Sequence, residues 1–356
     1  MSDDLKLLDA PDENVAIGGA LFTINEEELL SIFKIGSMSK CEHKMVEFVE
    51  NFLKKEEIEY EKDEMGNIYN FNFKDQPMVC AHMDTVQDEV DAFGAKFAKI
   101  YDGEIIRSYG VLGGDDKCGV YICMELLRTF RDLNFCFCVQ EEIGMLGSKF
   151  VAKNNKEKLK NIAYGLIFDR RGNSDIICNQ NDYGTKLFEE DLHHIGKYYK
   201  YKPARGLSSD ANTFRDYFSC ANISCGYYEP HSKNEYVVLE DVENALNFGA
   251  DIIFNLDGTY APEVKTYNSG YTRTVYGYND YDDYYSDYGY FPRKYGKKKK
   301  NKEEEKEKKP RTTYTLCDNC NKYGDTIEIK ATNTILCKDC AKKIVEELIE
   351  LAYGEE

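Results

Sequence analysis

Three short groups of acidic residues and histidine lie between apolar runs in the first half of the chain. They are AHMDTV at 81–86, GVLGGDDKCG at 110–119 and VQEEIG at 139–144. Divalent metals bind carboxylates and neutral imidazole that are held on a rigid frame, and each group follows an apolar segment typical of a strand. The pattern therefore predicts the centre of a metal-dependent hydrolase.

Each of these groups, taken alone, has a simpler structural explanation. A single histidine after a strand is more often structural, the acidic pair at 115–116 could cap a helix, and the pair at 141–142 could be a solvated strand end. However, the chain has only five histidines, and His82 and His231 both belong to the same ordered series as the carboxylates. The joint pattern is therefore more specific than any of its parts.

The segments around these groups alternate between strand and helix patterns. Helical periodicity occurs at 26–54 in two segments and at 117–131, 146–152, 185–198, 212–218 and 239–254, and strand patterns occur at 58–73 as a hairpin and at 77–81, 104–108, 134–139, 162–168, 175–178 and 221–226. Such alternation predicts an α/β fold, a three-layer sandwich with a mostly parallel central sheet. Sites in these sheets form beyond the carboxyl ends of strands, where His82, the pair at 141–142 and Asp169 fall.

The composition excludes some broad classes of protein. A formal charge of −18 argues against nonspecific binding of nucleic acid, because phosphate binding needs a cationic surface. The N-terminal segment lacks the cationic start and apolar core of an export signal, and no apolar run approaches the roughly 20 residues of a membrane span. We therefore expect a cytoplasmic protein that does not bind membranes.

The thirteen cysteines do not suggest a disulfide framework. Their number is odd, and many lie within helix or strand patterns, where cysteine is usually a small buried apolar residue; these are Cys80, Cys123, Cys136, Cys138 and Cys178. Only the last four cysteines, near the end of the chain, have the spacing of a site.

Those last four cysteines form the pattern Cys317-x2-Cys320, sixteen residues, and Cys337-x2-Cys340. Four thiolates at this spacing predict one structural Zn²⁺ in a small zinc ribbon or treble-clef module at 311–356. A thiol-redox site is the alternative, but it would not explain two paired motifs. Such a module is too small to fold without its metal, and its partner could be protein or nucleic acid.

The predicted domain order follows from these patterns and from composition. Residues 1–23 form an N-terminal extension, and residues 24–256 form the catalytic domain. Residues 257–310 are rich in tyrosine and then in charge, with few aliphatic residues, which predicts a linker. Its tyrosines could contact a partner or nucleic-acid bases, but a plain tether is the simpler interpretation.

The motifs HMDTV, GGDDKCG, EEIG, RGLSSDA and GYYEPHSKNEYVVLE, with a strand end at Asp169, resemble those of a known clan and occur in the same order. That clan is the co-catalytic zinc peptidases, which include peptidase T, carboxypeptidases and aminopeptidases. Over roughly 24–256 the chain resembles peptidase T most closely. The resemblance implies two Zn²⁺ or other divalent ions, with Asp115 bridging them. The implied metal ligands are His82, Asp115, Glu142, Asp169 and His231.

The resemblance also implies two roles beside the metals. Two zinc ions about 3.5–4 Å apart can polarise a peptide carbonyl and lower the pKa of a shared water. Asp84 is expected to orient His82, because a carboxylate two residues away can accept the second imidazole N–H. Glu141 is expected to be the general base, since it is adjacent to Glu142 but projects to the other side of an extended segment.

Arg205, in the RGLSSDA motif, is predicted to bind a substrate anion. A guanidinium matches a carboxylate in a bidentate pair, although a structural ion pair with Asp210 would explain the residue equally well. His193 and His194 match no motif, and we expect them on the surface.

The chain departs from the peptidase T pattern in one large way. Peptidase T inserts a lid and dimerisation domain after the aspartate that corresponds to Asp169. Only 61 residues lie between Asp169 and His231 here, which leaves no room for that domain. Tripeptide specificity and oligomeric state are therefore open, and the compact arrangement is similar to the lidless aminopeptidases of the clan.

The sequence favours a cytosolic di-zinc metallopeptidase that hydrolyses short peptides, as an aminopeptidase or a tripeptidase. One alternative is an amide hydrolase or deacylase of the same fold. Another is a non-catalytic binding protein that retains the peptidase fold. All the implied ligand and catalytic positions are intact, which favours an enzyme with a small peptide substrate.

Overall fold

The computed structural model of the chain describes residues 22–87 and 95–262, and the backbone of three strands between residues 312 and 337. The chain separates into two compact units, Met1–Glu263 and Val264–Glu356. Most of the predicted N-terminal extension and nearly all of the predicted linker lie outside the described residues. Within the described part, no helix is long and apolar enough to cross a membrane.

The first unit contains alternating helices and strands. The helices are α1 (Glu26–Phe33), α2 (His43–Lys55), α3 (Gly114–Thr129), α4 (Leu146–Asn154), α5 (Lys156–Leu159), α6 (Lys186–Gly196), α7 (Ala211–Phe214) and α8 (Leu239–Asn255). The strands are β1 (Glu61–Lys62), β2 (Ile68–Asn70), β3 (Met78–His82), β4 (Lys99–Tyr101), β5 (Ile105–Arg107), β6 (Asn134–Cys138), β7 (Gly165–Arg170), β8 (Asp175–Ile177), β9 (Lys202–Ala204), β10 (Cys220–Ser224), β11 (Tyr227–Tyr228) and β12 (Tyr236–Val238).

Eight of these strands form one sheet, in the order β1-β2-β6-β3-β7-β10-β8-β9. The four central strands, β6, β3, β7 and β10, are parallel to one another. Antiparallel pairs flank them, between β2 and β6 on one side and between β10 and β8 on the other. The prediction of an α/β fold with a largely parallel central sheet is confirmed. A second sheet has the order β11-β12-β5-β4.

The central strands are buried on both faces because successive side chains point to opposite sides. On β3, Val79 and Ala81 join one apolar core, whereas Met78 and Cys80 join the other. Helices α1, α2, α3, α6 and α8 contribute to the first core, and α4, α5 and α7 contribute to the second. Helices therefore cover both faces of the sheet, as in a three-layer sandwich.

Several boundaries differ from those that the sequence pattern predicts. Strand β7 begins at Gly165 rather than at residue 162, and α7 ends at Phe214 rather than at residue 218. The short strands β4 and β9 are not predicted, because three-residue strands carry too little periodicity to be recognised. The backbone of α3 is non-helical at residues 115 and 116, so the regular helix begins at Lys117 as predicted.

The chain continues to pack on the first unit beyond residue 256. The backbone of Tyr260 donates to Ala163 O and accepts from Ser219 N, each at 2.8 Å. Its hydroxyl donates to Asp191 at 2.7 Å, and its ring lies 4.7 Å from that of Phe188. Composition places the domain boundary at 256, but these contacts show that the chain still packs on the first unit at Tyr260.

The second unit contains a three-stranded antiparallel sheet of β13 (Thr312–Leu316), β14 (Tyr323–Ile329) and β15 (Thr334–Cys337), in that order. The pairing of β14 with β15 lies where the sequence suggests a small hairpin. Cys317, Cys320 and Cys340 lie outside the described residues, and only the backbone of Cys337 is described. The zinc module therefore stays a prediction.

Candidate metal centre

The carboxyl ends of three central strands bring the acidic and histidine groups to one edge of the sheet. Strand β3 ends at His82, and its neighbour β6 ends at Cys138, which pairs with His82 in register. The chain leaving β6 carries Glu141 and Glu142. On the other side of β3, strand β7 carries Asp169 near its end. The site therefore forms at the edge expected for a parallel sheet.

The carboxylate of Asp115 lies between two histidines. Its Oδ1 is 3.1 Å from Nε2 of His82, and its Oδ2 is 3.2 Å from Nε2 of His231. Each histidine also approaches a second carboxylate: His82 Nε2 is 3.7 Å from Asp169 Oδ1, and His231 Nε2 is 2.9 Å from Glu142 Oε1. The structure thus brings together all five residues that the resemblance implies as ligands.

The donor set fits a pair of divalent cations. Zinc binds imidazole nitrogen and carboxylate oxygen, and one donor atom each from His82, Asp115 and Glu142 lie within 4.8 Å of one another. Glu142 Oε1 is buried and makes no hydrogen bond among the described residues, because its contact with His231 lacks hydrogen-bond geometry. Buried oxygen and imidazole nitrogen that converge without a proper hydrogen bond are typical of metal ligands.

The electrostatics of the cluster also favour a cation. Burial, with the carboxylates of Asp115 and Glu142 nearby, raises the pKa of Asp169 to about 7, although His82 opposes this shift. The carboxylates of Asp115 and Glu142, at 3.2 and 2.9 Å from Nε2, raise the pKa of His231 to about 10, although burial opposes this shift. Crowded buried acids hold protons when no other positive charge neutralises them. A pair of divalent ions would supply that charge.

His82 is oriented by the backbone of Asp84 more directly than by its side chain. The Nδ1 atom of His82 lies 2.9 Å from the carbonyl oxygen of Asp84 and 3.4 Å from Asp84 Oδ1. Since a carbonyl only accepts, Nδ1 carries the proton and Nε2 faces Asp115 and Asp169. This tautomer leaves the Nε2 lone pair for a metal.

The Asp84 carboxylate instead holds the segment that carries the glutamates. It accepts hydrogen bonds from the backbone N–H of Glu141 at 2.8 Å, from that of Glu142 at 3.2 Å and from the Ser39 hydroxyl at 2.7 Å. Burial raises the pKa of Asp84, but the interactions with His82, Ser39 and Glu141 outweigh it and keep the pKa below its usual value. An ionised Asp84 therefore fixes the backbone of the segment that carries both glutamates.

Glu141 has the free carboxylate that a proton acceptor needs. Its side chain makes no hydrogen bond within the part of the chain that the structure describes. Burial raises its pKa to about 10; His82 opposes the shift, and the carboxylates of Asp169, Asp210 and Glu142 add to it. Nearby cations would lower this pKa, because opposite charge stabilises the ionised form.

Two further acids, neither of which is predicted as a site residue, hold the strand and the loop at the site. Glu235, 2% exposed, accepts from the backbone N–H of Gly113 at 2.7 Å and of Asp115 at 3.1 Å. Asp116 Oδ2 accepts from the His82 N–H at 3.0 Å. The only sequence signal for Glu235 is an acidic residue directly before the apolar strand β12, and Asp116 is half of the GGDDKCG pair.

The structure does not bring Arg205 into this group. Arg205 is exposed after β9, and it does not line the cavity beside the site. His194 is exposed as expected, whereas His193 is half-buried, with Nδ1 3.2 Å from the Tyr201 carbonyl. The anion-binding role of Arg205 stays a prediction.

A cavity of about 610 Å³ opens beside His231 and Glu142. Its apolar walls come from Met38, Val86, Val111 and Ile143, and its polar lining includes Ser39, Thr85, Gln87, Ser232 and Lys233. A volume of this size is typical of a small-molecule site. The cavity therefore joins the metal centre to a mostly apolar surface.

Comparison with known proteins defines the class. The model of peptidase family M28 matches residues 69–237, which include every residue of the centre described above. No curated protein matches the chain. The family match and the donor geometry together identify the chain as a metallopeptidase. This confirms the coarser part of the predicted resemblance, whereas the missing lid and the zinc module stay predictions.

Solved structures of low sequence identity share the fold. The TET1 peptidase of Pyrococcus horikoshii has 16% identity and a TM-score of 0.51, with 65% of this chain and 99% of that chain covered. Aminopeptidase PepT from Bacillus cereus has 16% identity and a TM-score of 0.51, covering 64% and 96%. A tripeptidase from Staphylococcus aureus has 15% identity and a TM-score of 0.50, covering 65% and 98%.

Proposed function

We propose that this chain is a di-zinc peptidase that removes residues from the amino end of short peptides. The observation that carries the proposal is the position of Asp115 between two pairs, His82 with Asp169 and His231 with Glu142. The similar structures of an aminopeptidase and a tripeptidase support the same substrate class.

The two pairs would each hold one ion, and the two oxygens of Asp115 would be shared between them. When bound, two zinc ions would polarise the scissile carbonyl and lower the pKa of a water. The Nδ1–H bond from His82 to the Asp84 carbonyl keeps Nε2 available as a ligand. The five donors thus need no rearrangement larger than the adjustment of side chains.

Glu141 would move the proton. Its carboxylate has no competing hydrogen bond among the described residues, and its backbone N–H is held by Asp84 at 2.8 Å. We infer that Glu141 takes a proton from the attacking water and then donates it to the nitrogen of the leaving amine. Cations held by the neighbouring ligands would lower the pKa of this carboxylate from about 10, so that it is ionised and can accept the proton.

The substrate would bind in the cavity beside the centre. Its walls of Met38, Val86, Val111 and Ile143 favour an apolar side chain at the first position of the peptide.

A substrate panel tests this proposal. The zinc-loaded full chain is assayed with leucyl, alanyl, lysyl and glutamyl anilides, with unmodified tripeptides, and with the same compounds N-acetylated. We expect hydrolysis of free-amine substrates with the leucyl compound preferred, and no hydrolysis after acetylation. Exclusive cleavage of acetylated amino acids would indicate the deacylase alternative, and no turnover of any compound by the loaded chain would indicate a binding protein.

We also propose a cytoplasmic location and domain limits at 23, 256 and 310. A structural zinc is proposed at four cysteines: Cys317, Cys320, Cys337 and Cys340. Zinc content of the isolated segment 311–356 tests the last of these, because four thiolates at this spacing should bind one ion per chain.

A further inference from the structure

Three buried cysteines lie together on the face of the sheet that is opposite to α3. Cys80 on β3 pairs in register with Cys136 on β6, and Cys138 lies two residues further along the same strand face. The sulfurs of Cys136 and Cys138 are 3.4 Å apart, and those of Cys80 and Cys138 are 4.0 Å apart. All three side chains are fully buried.

Asp210, which directly precedes α7, approaches this cluster. It is 1% exposed, and one carboxylate oxygen lies within 4.8 Å of the sulfurs of both Cys80 and Cys138. Its Oδ1 is buried and has no hydrogen-bond partner among the described residues. Leaving a buried carboxylate oxygen unsatisfied is costly, which points to a positive charge that the protein part does not supply.

The spacing of the sulfurs agrees with a tetrahedral metal site. Zinc–sulfur bonds of about 2.3 Å at tetrahedral angles place neighbouring sulfurs about 3.8 Å apart. The separation of the Cys80 and Cys138 sulfurs, 4.0 Å, is close to that value. Cysteine as a small apolar residue would explain the burial of the thiols, but it would not explain the unpartnered oxygen of Asp210.

We propose that Cys80, Cys138 and Asp210 bind a third metal ion in the first unit, beside the neighbouring thiol of Cys136. The donor type favours a thiolate-binding divalent ion such as zinc, and each thiol that binds it releases its proton to solvent. This inference does not depend on the proposed peptidase activity.

The site would stabilise the sheet next to the edge that carries the catalytic residues. Cys80 lies two residues before His82, and Cys138 lies three residues before Glu141. An ion at the cluster would join strands β3 and β6 to the segment that leads into α7. It would therefore fix the ends of the two strands that deliver the catalytic residues.

Metal counting with matched variants tests the proposal. The reduced full chain, Cys138→Ala, Asp210→Asn and the control Cys220→Ser are loaded with zinc, dialysed, and analysed for zinc per chain. Cys220 is a buried cysteine of the same sheet face whose sulfur interacts with the Phe218 carbonyl, a bond that serine keeps. We expect Cys138→Ala and Asp210→Asn each to lose one equivalent relative to the wild type and to the control.

Cobalt spectra show which donors are lost. Cobalt-loaded wild type minus cobalt-loaded Cys138→Ala should leave a sulfur-to-cobalt charge-transfer band, because the C-terminal cysteine pairs are the same in both proteins and cancel. Folded variants with unchanged zinc content and no difference band would overturn the proposal.

A wild-type measurement covers the case in which a variant fails to fold. The cadmium-113 NMR spectrum of the reduced full chain should contain one resonance from a mixed thiolate and carboxylate site. That resonance should be separate from the signals of a four-thiolate site and of nitrogen and oxygen sites. Its absence from the loaded wild type would equally overturn the proposal.

Discussion

The division of labour between Glu141 and Glu142 follows from which of their atoms have partners. Glu142 directs Oε1 at His231, and Glu141 has a carboxylate without a hydrogen bond among the described residues. Asp84 holds the backbone N–H of both residues, so the backbone that carries the two glutamates cannot turn without breaking those contacts. Adjacent residues of the same type should therefore respond differently to the same substitution.

Glu141→Gln should keep the metals and lose activity. The amide has nearly the same shape but cannot take a proton, so turnover should fall by about 10²–10⁴-fold while zinc content stays near that of the wild type. Glu142→Gln is the matched comparison and should lose zinc instead. Metal analysis and anilide hydrolysis on the same samples measure both effects. Undiminished turnover by Glu141→Gln would remove this residue from the mechanism.

Asp84→Asn should weaken metal binding without unfolding the chain. The asparagine amide cannot accept all three hydrogen bonds that the Asp84 carboxylate accepts from Ser39, Glu141 and Glu142. Loss of such support typically lowers metal affinity about 10–100-fold. Competition with a chromophoric chelator measures the affinity. The exposed Asp75→Asn serves as control and should bind zinc like the wild type.

Among the elements, α3 depends on a buried lysine at its start. Lys117 is 1% exposed, and its Nζ donates to the carbonyl oxygens of Phe33 at 3.2 Å and Leu112 at 3.4 Å. It thereby ties the end of α1 and the loop before Asp115 to the first turn of α3. Burial lowers the pKa of Lys117 to about 7, although the nearby Glu235 carboxylate opposes that shift.

Lys117 predicts a specific dependence of stability on pH. Below pH 7 the lysine is charged in both states; between about 7 and the unfolded value of 10.5 the unfolded chain binds more protons. Stability from this group should therefore rise as pH increases through that window. Lys117→Met should lack this rise, so the melting temperature of the wild type minus that of the variant should be larger at pH 9.5 than at pH 7. A difference that is the same at both pH values would mean that Lys117 does not titrate in this range.

Elements that are defined by local sequence signals could be predicted, whereas those that depend on contacts between residues distant in sequence could not. The ends of β3 and β6, with His82 and Glu141, follow from apolar runs that stop, which is a local signal. The position of Asp115 is set instead by Glu235, whose carboxylate reaches the backbone of a loop that lies 120 residues earlier. Similarly, the three hydrogen bonds to Asp84 come from two distant segments. No spacing rule contains these contacts, because they exist only once the sheet is assembled.

At the scale of the whole molecule, the end of the first unit was the least predictable feature. Composition changes at residue 257, and Tyr260 is of the same type as the many tyrosines in the stretch that follows. In the structure its ring packs on Phe188 and Tyr164, and its backbone joins residues 163 and 219. Whether a tyrosine packs or tethers depends on the surface that it meets, which composition does not describe.

The position of Tyr260 predicts where the chain can be shortened. A chain that ends after residue 263 should keep its catalytic zinc, its activity and the melting temperature of the first unit. A chain that ends after residue 257 loses two backbone hydrogen bonds and the half-buried ring of Tyr260, and should melt several degrees lower, at about 2–4 °C per kcal/mol lost. Calorimetry of the two shortened chains measures the difference. Equal melting temperatures would show that residues 258–263 do not stabilise the first unit.

The exposure of His231 makes the two halves of the metal centre unequal. His82, Asp115 and Asp169 are enclosed, whereas the His231 side chain is 48% exposed and lies on a loop with φ of +60°. The exposed imidazole of His231 can rotate into solvent and release its ion, whereas the enclosed imidazole of His82 cannot. Mild chelation of the loaded chain should therefore remove one catalytic ion quickly and the second slowly, as two kinetic phases. His231→Ala should abolish the fast phase, because the outer position no longer binds its ion, and should leave the inner ion in place.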